Sequence, residues 1–66
     1  MELMMATSLA LEGKTAVITG SGNGIGRAIA NAMSDAGANV TVSDVLEEDG
    51  QRTVKEITDR GGRAIF

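Results

Sequence analysis

The sequence predicts an α/β fold in the order β-α-β-α-β, with helices crossing over a small parallel sheet. Three observations carry this. Two short β-branched runs, at residues 15–19 and 39–43, have the character of strands inside a sheet. Between them, apolar residues recur with the period of an amphipathic helix. A second helical stretch follows, closed by Gly61-Gly62, and leads into a third apolar run. Alternation of this kind implies parallel strands joined by right-handed crossovers.

Taken in order, Thr15-Ala16-Val17-Ile18-Thr19 is bounded by Gly13 and Gly20 and reads as a buried strand. The glycine-rich stretch from Gly20 to Gly26 follows. Ile25, Ala28, Ile29, Ala32, Met33 and Ala36 then mark one helical face at spacings of three and four. On this reading Ile25 caps the core, Met33 lies within it, and the small Ala28 and Ala32 let the helix pack closely on the sheet. Gly37 stands where a C′ glycine ends a helix. Asn39-Val40-Thr41-Val42-Ser43 is the second strand, with Asp44 at its carboxyl end. Leu46, Gly50, Val54 and Ile57 share a face of the second helix, which Gly50 weakens locally. The acidic run Glu47-Glu48-Asp49 complements that helix's positive end. Ala64-Ile65-Phe66 begins a third strand. The expected organisation is a flexible leader over residues 1–11 and one partial domain over 12–66, the first half of a doubly wound parallel sheet. The abrupt end in a strand reads as a truncation, and Met1, Met4 and Met5 leave alternative starts open.

Composition narrows the function classes. The 66 residues contain no Cys and no His, which removes disulfides, thiolate metal sites and the commonest general base. The six basic residues, Lys14, Arg27, Arg52, Lys55, Arg60 and Arg63, are scattered, and net charge is −3, so nucleic acid is not an expected partner. No stretch approaches a membrane span, and the N-terminus lacks the basic and long apolar regions of a signal peptide. No membrane association is expected, and cytoplasm is the default location.

The chemistry concentrates in the glycine loop. Glycines let a chain turn tightly and bring its backbone close to a pyrophosphate, while the following helix aims free N–H groups at the phosphates. The spacing fits neither G-x-G-x-x-G nor the phosphate loop G-x-x-x-x-G-K-[ST]. It is T-G-x-x-x-G-x-G, from Thr19 to Gly26. That pattern resembles the cofactor fingerprint of the short-chain dehydrogenase/reductase family. The segments 11–18, 27–30, 37–40 and 61–64 also look like that family, so the resemblance covers nearly all of 9–66. It implies a partial Rossmann fold with Gly20, Gly22, Asn23, Gly24, Ile25, Gly26, Asp44 and Val45 at the dinucleotide. A tight turn alone requires less than three glycines and an acid. Gly22 is a candidate contact or an incidental member. Asn23 is either a turn residue at positive φ or a ribose or backbone contact. Ser21 reads as structural, and Arg27 as a solvated helix position more than a phosphate ligand.

Asp44 lies 20 positions after Gly24, where an acid at the end of the second strand accepts hydrogen bonds from the adenosine ribose. Its other reading is a helix N-cap. Its charge repels a 2′-phosphate. Family members that prefer NADP usually carry a basic residue at the positions occupied here by Asn23 and Val45, so the resemblance implies NAD over NADP. It further implies hydride transfer to or from an alcohol or ketone substrate, in a homo-oligomer, by a Ser, a Tyr and a Lys that lie beyond Phe66. There is no Tyr in the 66 residues, so no catalytic residue is assigned and the chain alone is expected to be inactive. The competing expectation is a non-catalytic, free-standing nucleotide-binding or interaction module.

Overall fold

The computed structural model describes residues 10–66, so residues 1–9 of the leader expected over 1–11 lie outside them. The elements alternate as the sequence predicts: β1 is Thr15–Thr19, α1 is Gly24–Asp35, β2 is Asn39–Ser43, α2 is Glu47–Asp59 and β3 is Arg63–Ile65. All strands are parallel, in the order β1-β2-β3. This is the partial Rossmann arrangement. β3 starts one residue earlier than expected and leaves Phe66 just past its end.

Strand pleating sorts the side chains. Ala16 and Ile18 of β1, Val40 and Val42 of β2, and Ala64 of β3 face the helices. There they meet Ala30, Ala38 and Ile57, with Leu11, Met33 and Val54 at the margin. Complete burial of a residue such as Ile57 or Val42 stabilises by roughly 1.5–3 kcal/mol. Thr15, Val17 and Thr19, with Arg63 and Ile65, point the other way and are exposed. Val17 is 67% exposed and Ile65 65%. The sheet is therefore buried on one face, and β2, with a neighbour on each side, carries the core.

The rotation of α1 differs from the expectation. Ile25, Ala28, Ile29 and Ala32 are exposed, Ile25 by 81%, so Ile25 does not cap the core and the two alanines do not meet the sheet. Ala30 and Ser34 are buried instead, with Met33 half-buried. The cause is steric. A Cβ on Gly26 would stand 2.2 Å from the Gly20 carbonyl oxygen, so only a bare α-carbon fits where the loop crosses the helix. That contact turns the line Gly26, Ala30, Ser34 inward at a spacing of four and swings the isoleucines out. Gly37, at φ +100, ends the helix as expected.

In α2 the buried residues are Gly50, Thr53 and Ile57, while Leu46 is the N-cap residue and is exposed. Glu47, Glu48 and Asp49 occupy the first turn, as the charge pattern predicts. Gly50 is more than a weak point. A Cβ there would collide with the Phe66 ring at 2.1 Å.

The helices are braced to each other by polar contacts. Arg27 of α1 holds Glu56 of α2 through two hydrogen bonds, which explains why its guanidinium is not free for a phosphate. Asn31 donates to the same carboxylate, and Arg60 reaches back to Asn31 and Asp35. The Arg27 and Glu56 side chains are about a third exposed, so solvent screens them. Glu56→Ala in the full-length protein is expected to cost less than about 1 kcal/mol. A urea midpoint lowered slightly at unchanged slope checks this; a multi-kilocalorie loss would mean the pair carries more than a screened surface contact.

Candidate functional site

The loop joining β1 to α1 opens at the carboxyl end of the sheet. Gly20 and Gly24 have φ of +63° and +55°, a left-handed region costly for any residue with a Cβ. A Cβ at either position would meet no other atom within 4 Å, so their outer side faces open space. Asn23 is the N-cap of α1. Its φ is −155°, so the positive-φ reading is overturned: its extended backbone lets Oδ1 accept the Gly24 N–H at 3.0 Å. The first bond of the helix ladder runs from Arg27 N–H to the Asn23 carbonyl. A helix start leaves its first N–H groups unpartnered, and those of Ile25 and Gly26 have no acceptor among the described residues. Two free donors at the positive end of a twelve-residue helix suit an anionic group.

Asp44 follows β2 and turns back to this loop. Its Oδ2 accepts the Gly22 N–H at 3.0 Å and its Oδ1 accepts the Leu46 N–H at 2.9 Å. The second is the Asx-type bond that an aspartate makes to its own backbone two residues on. Asp44 is therefore not the N-cap of α2, a position taken by Leu46 without a side-chain bond. The Leu46 and Gly22 N–H groups, in that order, hold the Asp44 carboxyl below its ordinary range, and slight desolvation opposes them. Val45 beside it is 98% exposed.

Gly22 is closed in, unlike Gly20 and Gly24. A Cβ there would lie 2.8 Å from the Gly50 backbone nitrogen and 2.9 Å from Asp49. Its missing side chain makes room for the start of α2, and its N–H serves Asp44. Ser21, also fully buried, ties the ends of β1 and β2 together. Gly20, Gly22, Asn23, Gly24, Ile25 and Gly26 thus sit in one loop beside Asp44 and Val45, at the strand ends where parallel α/β sheets bind nucleotides. The open glycines, free donors and anionic acceptor are a chemistry that fits a dinucleotide: pyrophosphate at the donors, ribose hydroxyls at the acid.

Elsewhere, a shallow groove of about 600 Å³ runs between the helices, lined by Gly24, Arg27, Ala28, Asn31, Glu56 and Arg60. Its charged groups already satisfy one another. Among the described residues there is no cluster of metal-ligating side chains, and no helix is long and apolar enough to cross a membrane.

Comparison with known proteins gives a consistent result. Residues 14–66 match the family model for short chain dehydrogenase. The 7alpha-hydroxysteroid dehydrogenase of Escherichia coli K12 is 47% identical over 58 residues, covering 88% of this chain and 23% of that protein. The solved structure of a 7 alpha-hydroxysteroid dehydrogenase complexed with NADH and 7-oxo glycochenodeoxycholic acid superposes with a TM-score of 0.85 at 45% identity, covering 91% of this chain and 24% of the other. A candidate NAD(P)-dependent gluconate 5-dehydrogenase from Beutenbergia cavernae, with bound NADP, superposes with a TM-score of 0.82 at 43% identity, covering 88% and 23%. The chain spans about a quarter of the length of these relatives.

Proposed function

The chain belongs to the short-chain dehydrogenase/reductase family of oxidoreductases, and from that membership we propose that it forms the first part of an NAD site in an enzyme acting on an alcohol or ketone. The bound dinucleotide would supply the acceptor or donor of a hydride. This chain's own residues bind and orient it. The N–H groups of Ile25 and Gly26 take the pyrophosphate, approached over Gly20 and Gly24. Asn23 holds the helix start in place through its cap. Asp44 takes the adenosine ribose beside Val45, and residues 12–66 form the N-terminal part of the dinucleotide-binding domain. With no Tyr among the 66 residues, the acid/base group implied by the family resemblance is supplied from outside them, and the chain alone does not transfer hydride.

The observation that carries this reading is Asp44 facing the glycine loop with its carboxylate held ionised. The two cofactor-bound relatives carry NADH in one case and NADP in the other. The choice for this protein therefore rests on its own residues, and an ionised Asp44 flanked by uncharged Asn23 and Val45 favours NAD. In the full-length protein, Asp44→Ala is expected to weaken NADH binding about tenfold or more, the worth of a charge-assisted hydrogen bond. NADPH should lose little, so the preference shrinks. Fluorescence titration of both cofactors reads it directly, and an unchanged ratio removes the role assigned to Asp44.

The pH dependence has a definite sign. The Asp44 carboxyl sits below its unfolded value, so its contribution to stability is present above the ordinary carboxylate range and is lost as pH falls through the lowered value. NADH affinity is expected to stay flat from neutral pH down through the ordinary carboxylate range, and to fall only below it. A midpoint near neutrality in the binding titration would exclude Asp44 as the group responsible.

A further inference from the structure

We propose that Ser21 is a positioning residue for cofactor selectivity, its buried hydroxyl clamping the end of β2 so that Asp44 is aimed at the ribose. The proposal deepens the NAD reading above and rests on it.

A buried hydroxyl needs partners, and those of Ser21 are specific. Ser21 is fully buried. Its Oγ donates to the Ile18 carbonyl at 2.6 Å and accepts the Ser43 N–H at 3.1 Å. The Ser21 N–H donates to the Ser43 carbonyl at 3.0 Å. Both backbone groups of Ser43 are thus held by one residue. This reciprocal pair extends the β1–β2 ladder beyond its last partners, Thr19 and Ser43. The next residue on each side repeats the link, with Gly22 N–H on Asp44 Oδ2. Ser21-Gly22 therefore grips Ser43-Asp44 as a unit and sets the direction in which Asp44 leaves the strand.

The grip has a consequence for recognition. An ionised carboxylate offers about four acceptor sites over its two oxygens. Gly22 takes one on Oδ2 and Leu46 one on Oδ1, with the Val45 N–H a lesser third donor, so acceptor capacity remains on the carboxylate. Two acceptors in a fixed plane match the two adjacent hydroxyls of a ribose. Without the Ser21 hydroxyl, the Ser43 N–H loses its side-chain partner beyond the strand ladder, and the Gly22–Asp44 bond loses its register. Asp44 would still be charged, but no longer aimed.

The test uses the full-length protein with Ser21→Ala, Asp44→Ala and the double variant, read by equilibrium binding of NADH and NADPH and by melting without cofactor. Ser21→Ala is expected to weaken NADH roughly three- to tenfold, the worth of one ordinary hydrogen bond. NADPH should change little, and the melt should remain cooperative. In the Asp44→Ala background, Ser21→Ala should add nothing, because a residue acting through Asp44 has nothing left to aim. Carbon NMR of the cofactor-free protein should show the Asp44 carboxyl titrating closer to the ordinary range. Equal losses for both cofactors, additive losses in the double variant, or an absent cooperative melt would each assign Ser21 to folding alone and overturn the proposal. If Asp44→Ala shifts selectivity and Ser21→Ala does not, the positioning role fails while the NAD reading stands. If Asp44→Ala shifts nothing, the NAD reading fails and takes this proposal with it.

Discussion

Gly26→Ala is expected to destabilise the full-length protein by about 3 kcal/mol or more, at or above the top of the range for overpacked sites. The added methyl would stand 2.2 Å from the Gly20 carbonyl oxygen and 2.8 Å from its carbon. Both are backbone atoms, so no rotamer change relieves the overlap. α1 must lift from the loop, carrying Ala30 out of the core. Gly24→Ala provides the contrast. Gly24 is at φ +55 with nothing within 4 Å of an added Cβ, so the cost is the left-handed conformation alone, about 1–2 kcal/mol. That variant should fold and bind NAD more weakly, because the methyl projects into the space over the loop. Denaturation curves and NADH titration of both variants separate the two effects. A Gly26→Ala protein as stable as the parent would show that the loop does not pin the rotation of α1.

That rotation is also what the sequence hid. Strand positions were legible because β-branched runs between glycines have few alternatives, and both 15–19 and 39–43 are strands. The place of Asp44 beside the loop was legible because its distance from the loop is set by one helix and one strand. The face of α1 was not. Hydrophobic periodicity marks Ile25 and Ile29, yet the inward line is Gly26, Ala30 and Ser34, residues that weigh little on any apolar scale. Helix orientation here is decided by what is small enough to touch the loop. The roles of Ser21 and Gly22 were hidden for a related reason. Their partners, Ser43 and Asp44 for one link and Asp49 and Gly50 for the other, lie more than 20 positions away and meet them only through the crossover. Asn23 shows the limit of residue-type reasoning: asparagine tolerates positive φ and also caps helices, and only the backbone angle tells which.

The 66-residue chain made on its own is expected to be aggregated, molten or oligomeric, and to bind NAD weakly or not at all. Ordering each residue costs ~1–2 kcal/mol of backbone entropy, which burial must outweigh. Burial here is one-sided. Val40, Val42 and Ile57 are covered, but Val17 and Ile65 face outward from the other side of the sheet, and Ile25 and Ile29 from α1. In a complete doubly wound sheet both faces carry helices. The outer edge of β1 also has no paired strand among the described residues, and a free parallel edge is a template for a second chain. The open face is tempered by Thr15, Thr19 and Arg63, which slow association without supplying a core. Sedimentation should therefore find little monomer, and thermal melting should be broad and insensitive to NAD. A sharp cooperative melt of a monomer, raised by NAD, would mean that one covered face suffices to fold this unit, and the free-standing nucleotide-binding module would then become the better account of the chain.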